Sequence, residues 1–369
     1  MWGFRSFAIS ALWLRVTRTA ALSTTSAERC LNDRYAAVVT YDGGDYSGWQ
    51  IQTTNRCVQG VLNEVLGEMW EHPVKVLGAS RTDKGVHARG QVIHFDLPIS
   101  LSETEIVESL DKLNRMLPDD LKLKRLSRAP EGLLEIQIAQ GLPWHAGENA
   151  IAKHYSYTFS ASDHMIDPMS TRYRANLYNY KATQLMNLQS FQEALNVFKG
   201  THDFKAFGNR LDIRARVHEA YSGETFSSVR TVLSAEISEI QVLNNNSPSP
   251  SSSSSSFGIT CGTFYRVDIV VNGALYKMLR NMIAGCIEVS YGTMQLNELQ
   301  SLLGNVPSLG NTPSLGNIPS LGNIPSPINS IASKNIPTVF PSRAENRLVT
   351  APACGLCLEE VFYTEKVFS

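Results

Sequence analysis

The sequence predicts an α+β fold in which two successive α+β halves share one mostly antiparallel sheet. Three observations lead there. Apolar residues recur at three-and-four spacing in some segments and alternate in others, the periods of amphipathic helices and half-buried strands. Segments of the two kinds follow one another along the chain, interrupted by two low-complexity stretches. The 369 residues, 43% hydrophobic and 9% aromatic, are enough to build a packed core.

The elements come in order. Residues 35–41 (YAAVVTY) read as a strand ending in the turn signal Asp42-Gly43-Gly44. Residues 58–70 place Val58, Val61, Leu62, Val65, Leu66 and Met69 on one helical face. Strands are expected at 74–79 and 90–96 around a tight loop, and a helix at 102–116 opens with a Ser-x-x-Glu capping pattern. The second half gives a strand at 155–160, a helix at 187–199, long strands at 229–242 and 264–271, a helix at 274–290 and a closing strand at 356–363. The halves divide at about residues 33–145 and 146–365, with a cleft where they meet.

Two stretches look like insertions. Residues 244–256 (NNNSPSPSSSSSS) have nothing to bury against their ordering entropy and are expected to be a loop. The second, 303–340, contains four six-residue units, LGNVPS, LGNTPS, LGNIPS and LGNIPS. Proline at every sixth position blocks a continuous helix, so an expanded linker is favoured over a short solenoid.

Charge and cysteine content exclude several classes. Lys+Arg at 33 against Asp+Glu at 34 leaves a formal charge of −1, so a nucleic-acid partner would need a local basic cleft. Six cysteines are too scattered for a disulfide framework; Cys354-x-x-Cys357 lacks the second ligand pair of a zinc site, and no metal is expected. Clustered carboxylates and histidines for metal-dependent hydrolysis are not seen. Residues 1–27 hold Arg5, Arg15 and Arg18, no acid, and interleaved Trp2, Phe4, Phe7, Leu12, Trp13 and Leu14. That is the composition of an organellar transit peptide, with a disordered tail as the plain alternative. No stretch approaches the ~18–20 apolar residues that span a bilayer, so no membrane partner is expected.

Between the strands at 74–79 and 90–96 lies Ser80-Arg81-Thr82-Asp83-Lys84-Gly85-Val86-His87-Ala88. Neighbouring cations hold a carboxylate ionised, and the anion can serve as nucleophile, general base or charge partner. From residue types alone, an Asp-capped turn is the favoured explanation of the loop.

The loop RTDKGVHARGQVIHF resembles the signature of the TruA family of tRNA pseudouridine synthases, in which an Arg-Thr-Asp-x-Gly-Val-His-Ala loop supplies the catalytic aspartate. Further ordered matches are YDGGDYSGWQIQ and VQGVLNEVL upstream, and KHYSY, GTHDFKAF, SVRTV, MLRNMIAG and APACGLCLEEVFY downstream. An ordered set is far more specific than any one motif. The resemblance implies the pseudouridine synthase fold with a central RNA-binding cleft, and an isomerase that converts uridine to pseudouridine without a cofactor. It implies Asp83 as nucleophile, attacking C1′ or C6 or promoting loss of the 2′ proton. Arg81 is expected to fill the space left by a flipped base, and Tyr155 to stack on uracil. Arg280 is expected to pair with Asp83, because an arginine in an apolar helix needs a partner. Leu356, with Leu358, would floor the uracil site, with plain core packing the alternative for both. Tyr157 is expected to be the core tyrosine of the pair. His87 and His94 read as structural, as does Asp203.

The resemblance also implies a homodimer that grips tRNA around the anticodon arm, and with the leader it places the protein in the mitochondrial matrix, cytoplasm or nucleus being the alternatives. Ser80 stands where the family usually has Gly, Trp144 and Leu275 where it has Phe, and Arg89 where a small residue is usual. Rival readings are an enzyme acting on messenger or ribosomal RNA, and an RNA-binding factor that has lost catalysis.

Overall fold

The computed structural model describes residues 33–130, 143–161, 168–177, 186–213, 215, 226–240, 264–304, 348–364 and 367–368. The expected leader, the Ser-rich stretch and all of the LGNxPS repeats beyond Gly304 lie outside them. Among the described residues no helix is long and apolar enough to cross a membrane.

The strands form a single sheet. β1 (Asp33–Tyr41) pairs antiparallel with β3 (His87–Leu97) on one side and with β4 (Leu121–Arg128) on the other. β5 (Ala150–Ser160), β9 (Phe264–Val271), β8 (Val229–Ile240) and β7 (Gly200–Asp203) continue the antiparallel ladder. The last strand, β10 (Leu356–Tyr363), enters at the centre, antiparallel to β5 and parallel to β3 through Cys357↔His87 and Leu358↔Ala88. The order is β4-β1-β3-β10-β5-β9-β8-β7. Two short strands sit off this path: β2 (Leu77–Gly78) on β3, and β6 (Ala175–Asn176) alongside β5. β10 thus joins the strands of residues 33–145 to those of the later half. A closing strand from the C-terminus holds the cleft walls in one hydrogen-bonded frame.

Helices cover the sheet with their apolar faces. α1 (Val58–Met69) buries Val58, Leu62, Val65 and Leu66. α2 (Glu103–Met116) starts at a complete capping box: the Glu105 backbone N–H donates to the Ser102 hydroxyl, and the Ser102 backbone N–H donates to the Glu105 carboxylate. α3 (Pro168–Thr171) is a single turn, and α4 (Leu188–Val197) is capped by Asn187, whose side chain accepts from Ser190 N at 3.0 Å. α5 (Met278–Ser290) is buried on nearly every side and packs on α4, while α6 (Leu296–Ser301) closes over both. Trp49, Trp144, Tyr35, Tyr46, Tyr157, Phe95, Phe159 and Phe191 are among the largest buried side chains. Cys57, Cys286, Cys354 and Cys357 are free thiols.

Four local expectations are corrected. The strand expected at 74–79 shrinks to Leu77–Gly78, because α1 takes the backbone groups of Val76. Its N–H donates to Asn63 Oδ1 at 2.9 Å and its carbonyl accepts from Gln59 Nε2 at 2.8 Å. The helix expected from residue 274 starts at Met278, since Lys277 adopts a left-handed φ of 62° that no α-helix continues through. β4 was not anticipated, although LKLKRLSR alternates as an edge strand does. The linker boundary at 303 also moves: Leu303 is buried, and Gly304 forms a bridge with Asp203. As expected, Asp203 is structural: its carboxylate accepts from Lys205 N at 2.9 Å and from the Ser228 hydroxyl at 2.6 Å.

Candidate active site

The loop from Ala79 to Val86 is fastened at nearly every residue. Ala79 N donates to Val92 O at 2.8 Å, and Gln91 clamps Ser80 from both sides, accepting from its N–H at 3.1 Å and donating to its carbonyl at 2.5 Å. The Thr82 carbonyl accepts from Trp49 N at 3.0 Å, while its hydroxyl bonds Tyr41 OH at 2.8 Å. Val86 N donates to Asp83 O at 3.1 Å, closing a turn around Gly85, whose φ of 79° favours glycine. The DGG turn packs directly beneath: a Cβ on Gly43 would lie 1.9 Å from Val86 O. The early YDGGDYSGW motif is therefore the seat of the loop.

So fastened, the Asp83 carboxylate meets the guanidinium of Arg280, on the first turn of α5, with Nη1 at 3.2 Å from Oδ2. Both side chains are nearly buried, 14% and 12% exposed. Arg280 is itself oriented by donating from Nε to Ala351 O at 2.7 Å. Burial in a lower dielectric strengthens the pair and makes either charge alone costly.

Tyr155 stands beside them on β5, 4% exposed, its hydroxyl 2.8 Å from Ser80 Oγ. Burial pushes that hydroxyl up to about 12; the Ser80 bond opposes the shift and the nearby Asp83 charge adds to it. Tyr155 is thus a neutral phenol at physiological pH, a hydrogen-bonding group rather than a resident base. Tyr157 donates its hydroxyl to Pro352 O at 3.0 Å and packs in the core.

These groups line one cleft of about 470 Å³, within the range that holds small ligands. The structure brings Arg81, Asp83, Tyr155, Arg280 and Leu356 together around it, with Lys153, Phe226, Leu275, Tyr276 and Lys277 completing the wall. Arg81 is exposed, and Leu356 is nearly buried. Leu358 does not line the cleft; it is fully buried two residues further along the same strand. The histidines lie elsewhere. His87 Nδ1 accepts from Gly43 N at 3.0 Å, and burial lowers its pKa against the pull of Asp42. His94 is pushed down to about 3 by burial and accepts from Ala146 N at 3.2 Å, so it is a neutral packing group. Among the cleft residues that the sequence did not single out are Ser80, visible there only as a departure from glycine, and Lys153, whose signal was its period-two spacing from Tyr155.

A carboxylate paired to arginine, a neutral phenol and several cations around one cleft define an enzyme of nucleophilic or base chemistry that handles an anionic substrate. A family model described as tRNA pseudouridine synthase matches residues 194–312. The tRNA pseudouridine synthase A of Leuconostoc citreum is 31% identical over 340 residues, covering 90% of this chain and 98% of the relative. The protein of that name from Ruminiclostridium cellulolyticum is 30% identical over 272 residues, 73% of this chain and 89% of the relative. That from Exiguobacterium sibiricum is 32% identical over 206 residues, 56% and 70% of the two chains. The chain belongs to the tRNA pseudouridine synthase A family.

The Asp83–Arg280 pair generates a stability prediction. Arg280→Met takes the paired guanidinium from a nearly buried carboxylate and is expected to destabilise the protein by about 3 kcal/mol. In an Asp83→Asn background the same change is expected to cost less, giving a coupling of about 1–3 kcal/mol in urea unfolding. Equal costs in both backgrounds would show the two side chains to be energetically independent.

Proposed function

We propose that this chain isomerises uridine to pseudouridine in tRNA, with Asp83 as the nucleophile. The observation that carries the reading is the Asp83–Arg280 pair, made across 197 residues of sequence at the wall of the cleft and beside Tyr155. The reaction breaks the N1–C1′ bond, turns the uracil and joins C5 to C1′; the C5 proton leaves and the freed N1 takes up a proton. Atoms and electrons balance within the substrate, so no cofactor is called for. Attack by an Asp83 oxygen on C1′ or on C6, or removal of the 2′ proton, all begin from an ionised carboxylate, which the guanidinium of Arg280 maintains. The detached base must be kept from water while it turns. The Tyr155 ring and Leu356 supply apolar surface for that, and the neutral Tyr155 hydroxyl, tied to Ser80, lies close to the proton chemistry. Target uridines start out stacked, and Arg81, exposed at the cleft, has the planar guanidinium suited to occupying the vacated stack.

The family resemblance supports two finer proposals: a homodimer as the working form and the tRNA anticodon arm as the region gripped. The acid-poor, arginine-containing first 27 residues support the mitochondrial matrix as the site of action.

Transcripts carrying 5-tritiated uridine test the activity, because the C5 proton leaves only when the new bond is made. Release from tRNA is expected, falling by about 10³-fold or more in Asp83→Asn while tRNA binding persists. No release from any tRNA pool, mitochondrial transcripts included, sinks the proposal. For location, deleting residues 1–27 is expected to leave release intact and abolish uptake by isolated mitochondria. Undiminished uptake would remove the transit reading.

A further inference from the structure

β5 presents Lys153, Tyr155 and Tyr157 at alternate positions, and therefore toward one face of the sheet. Lys153 lines the same cleft as Asp83 and Tyr155. Its ammonium donates to the Ala79 carbonyl at 2.6 Å, at the root of the catalytic loop. Among the described residues no carboxylate forms an ion pair with it. The charge acting on it most strongly is Arg230 of β8, of the same sign, and burial together with that repulsion pulls the ammonium down to about 8.

A cation kept in such a place is expensive unless an anion meets it. A structural bond to Ala79 O could be made by a neutral donor at lower cost, so loop support alone does not explain a lysine. The other cleft cations are differently placed. Arg280 is committed to Asp83 and Ala351, and Arg81 is exposed. An ammonium carries three donors, and one is used here. The strand carries Lys153 about 7 Å from Tyr155, comparable to the reach from a base to its own phosphate within one nucleotide.

We propose that Lys153 binds a backbone phosphate of the nucleotide seated in the cleft, and so positions the substrate. The inference rests on the isomerase reading and adds a phosphate contact inside the cleft. A compact ammonium on a flexible stem serves as a point charge for phosphate without the bidentate geometry of arginine. The counter-ion that Lys153 lacks among the described residues arrives with the RNA.

The test compares wild type, Lys153→Gln and Lys153→Arg in tRNA binding across a salt series and in tritium release. Losing one phosphate contact is expected to reduce the slope of log K against log[salt] by about 0.7–0.9. KM is expected to rise roughly tenfold or more in Lys153→Gln with kcat within a few-fold, as for loss of a charged hydrogen bond. Lys153→Arg is expected to restore the slope. An unchanged slope and KM in Lys153→Gln overturn the inference, as does a fall in kcat with KM unchanged, which would place the charge on the uracil instead. Failure of Lys153→Arg to restore the slope overturns it too. A readout on the unaltered protein is acylation of Lys153 by a small reagent at pH 8, followed by peptide mass spectrometry. Bound tRNA is expected to slow it at least tenfold relative to exposed Lys112 on α2; equal rates contradict phosphate contact. Because binding and its salt slope need no turnover, a protein that releases no tritium would sink the isomerase reading while Lys153 was still tested.

Discussion

The architecture serves one ion pair that it cannot leave half made. Asp83 sits on a loop between strands and Arg280 on a helix 197 residues further on, and both side chains are nearly buried. Removing either charge takes from the other a close ion-pair partner in low dielectric, which is costly. The loop is fixed by Gln91, Tyr41 and Trp49, and the guanidinium by the Ala351 carbonyl. Ala351 leads into β10, the strand that enters the middle of the sheet between β3 and β5. The final residues of the chain therefore hold the arginine in position and join the cleft walls at the same time. A carboxylate so placed is fixed before any substrate arrives, and preorganisation of this kind avoids rearrangement during reaction.

Charge around the cleft is arranged by burial as much as by pairing. Asp83 is matched by Arg280, Tyr155 is kept neutral, and Lys153 has no carboxylate partner among the described residues. With Arg81 and Lys277 also on the wall, the lining carries more positive than negative groups, although the chain as a whole has a formal charge of −1. A polyanion recognised here would be drawn by the local field of the cleft and not by the net charge.

Much of this was legible in the sequence, and the reasons for success and failure are physical. α2 announced itself through the Ser102 and Glu105 capping pattern, and β9 and β10 through uninterrupted strand patterns. The partnership of Asp83 with Arg280 was anticipated from the ordered motifs and from the oddity of an arginine in an apolar helix. What escaped were effects made by side chains across the fold. Asn63 and Gln59 take the Val76 backbone groups that a longer β2 would use, and nothing in the local pattern at 74–79 reveals that. Lys277 in left-handed geometry delays α5 by four residues although the apolar pattern begins at Ala274. Ser80 stood out only as a departure from glycine, although its hydroxyl bonds Tyr155, and Lys153, outside the strand expected at 155–160, has no carboxylate ion-pair partner among the described residues.

The central claim is that Asp83 meets the target uridine in this cleft, and a structure of the Asp83→Asn protein bound to substrate tRNA tests it most directly. The account predicts one uridine drawn out of its stack, its base against Tyr155 and Leu356, and the residue-83 side chain about 3–3.5 Å from C1′ or C6, or from the 2′ hydrogen's carbon. A uridine left in its stack, or one held in a different part of the protein with residue 83 out of reach, would contradict it.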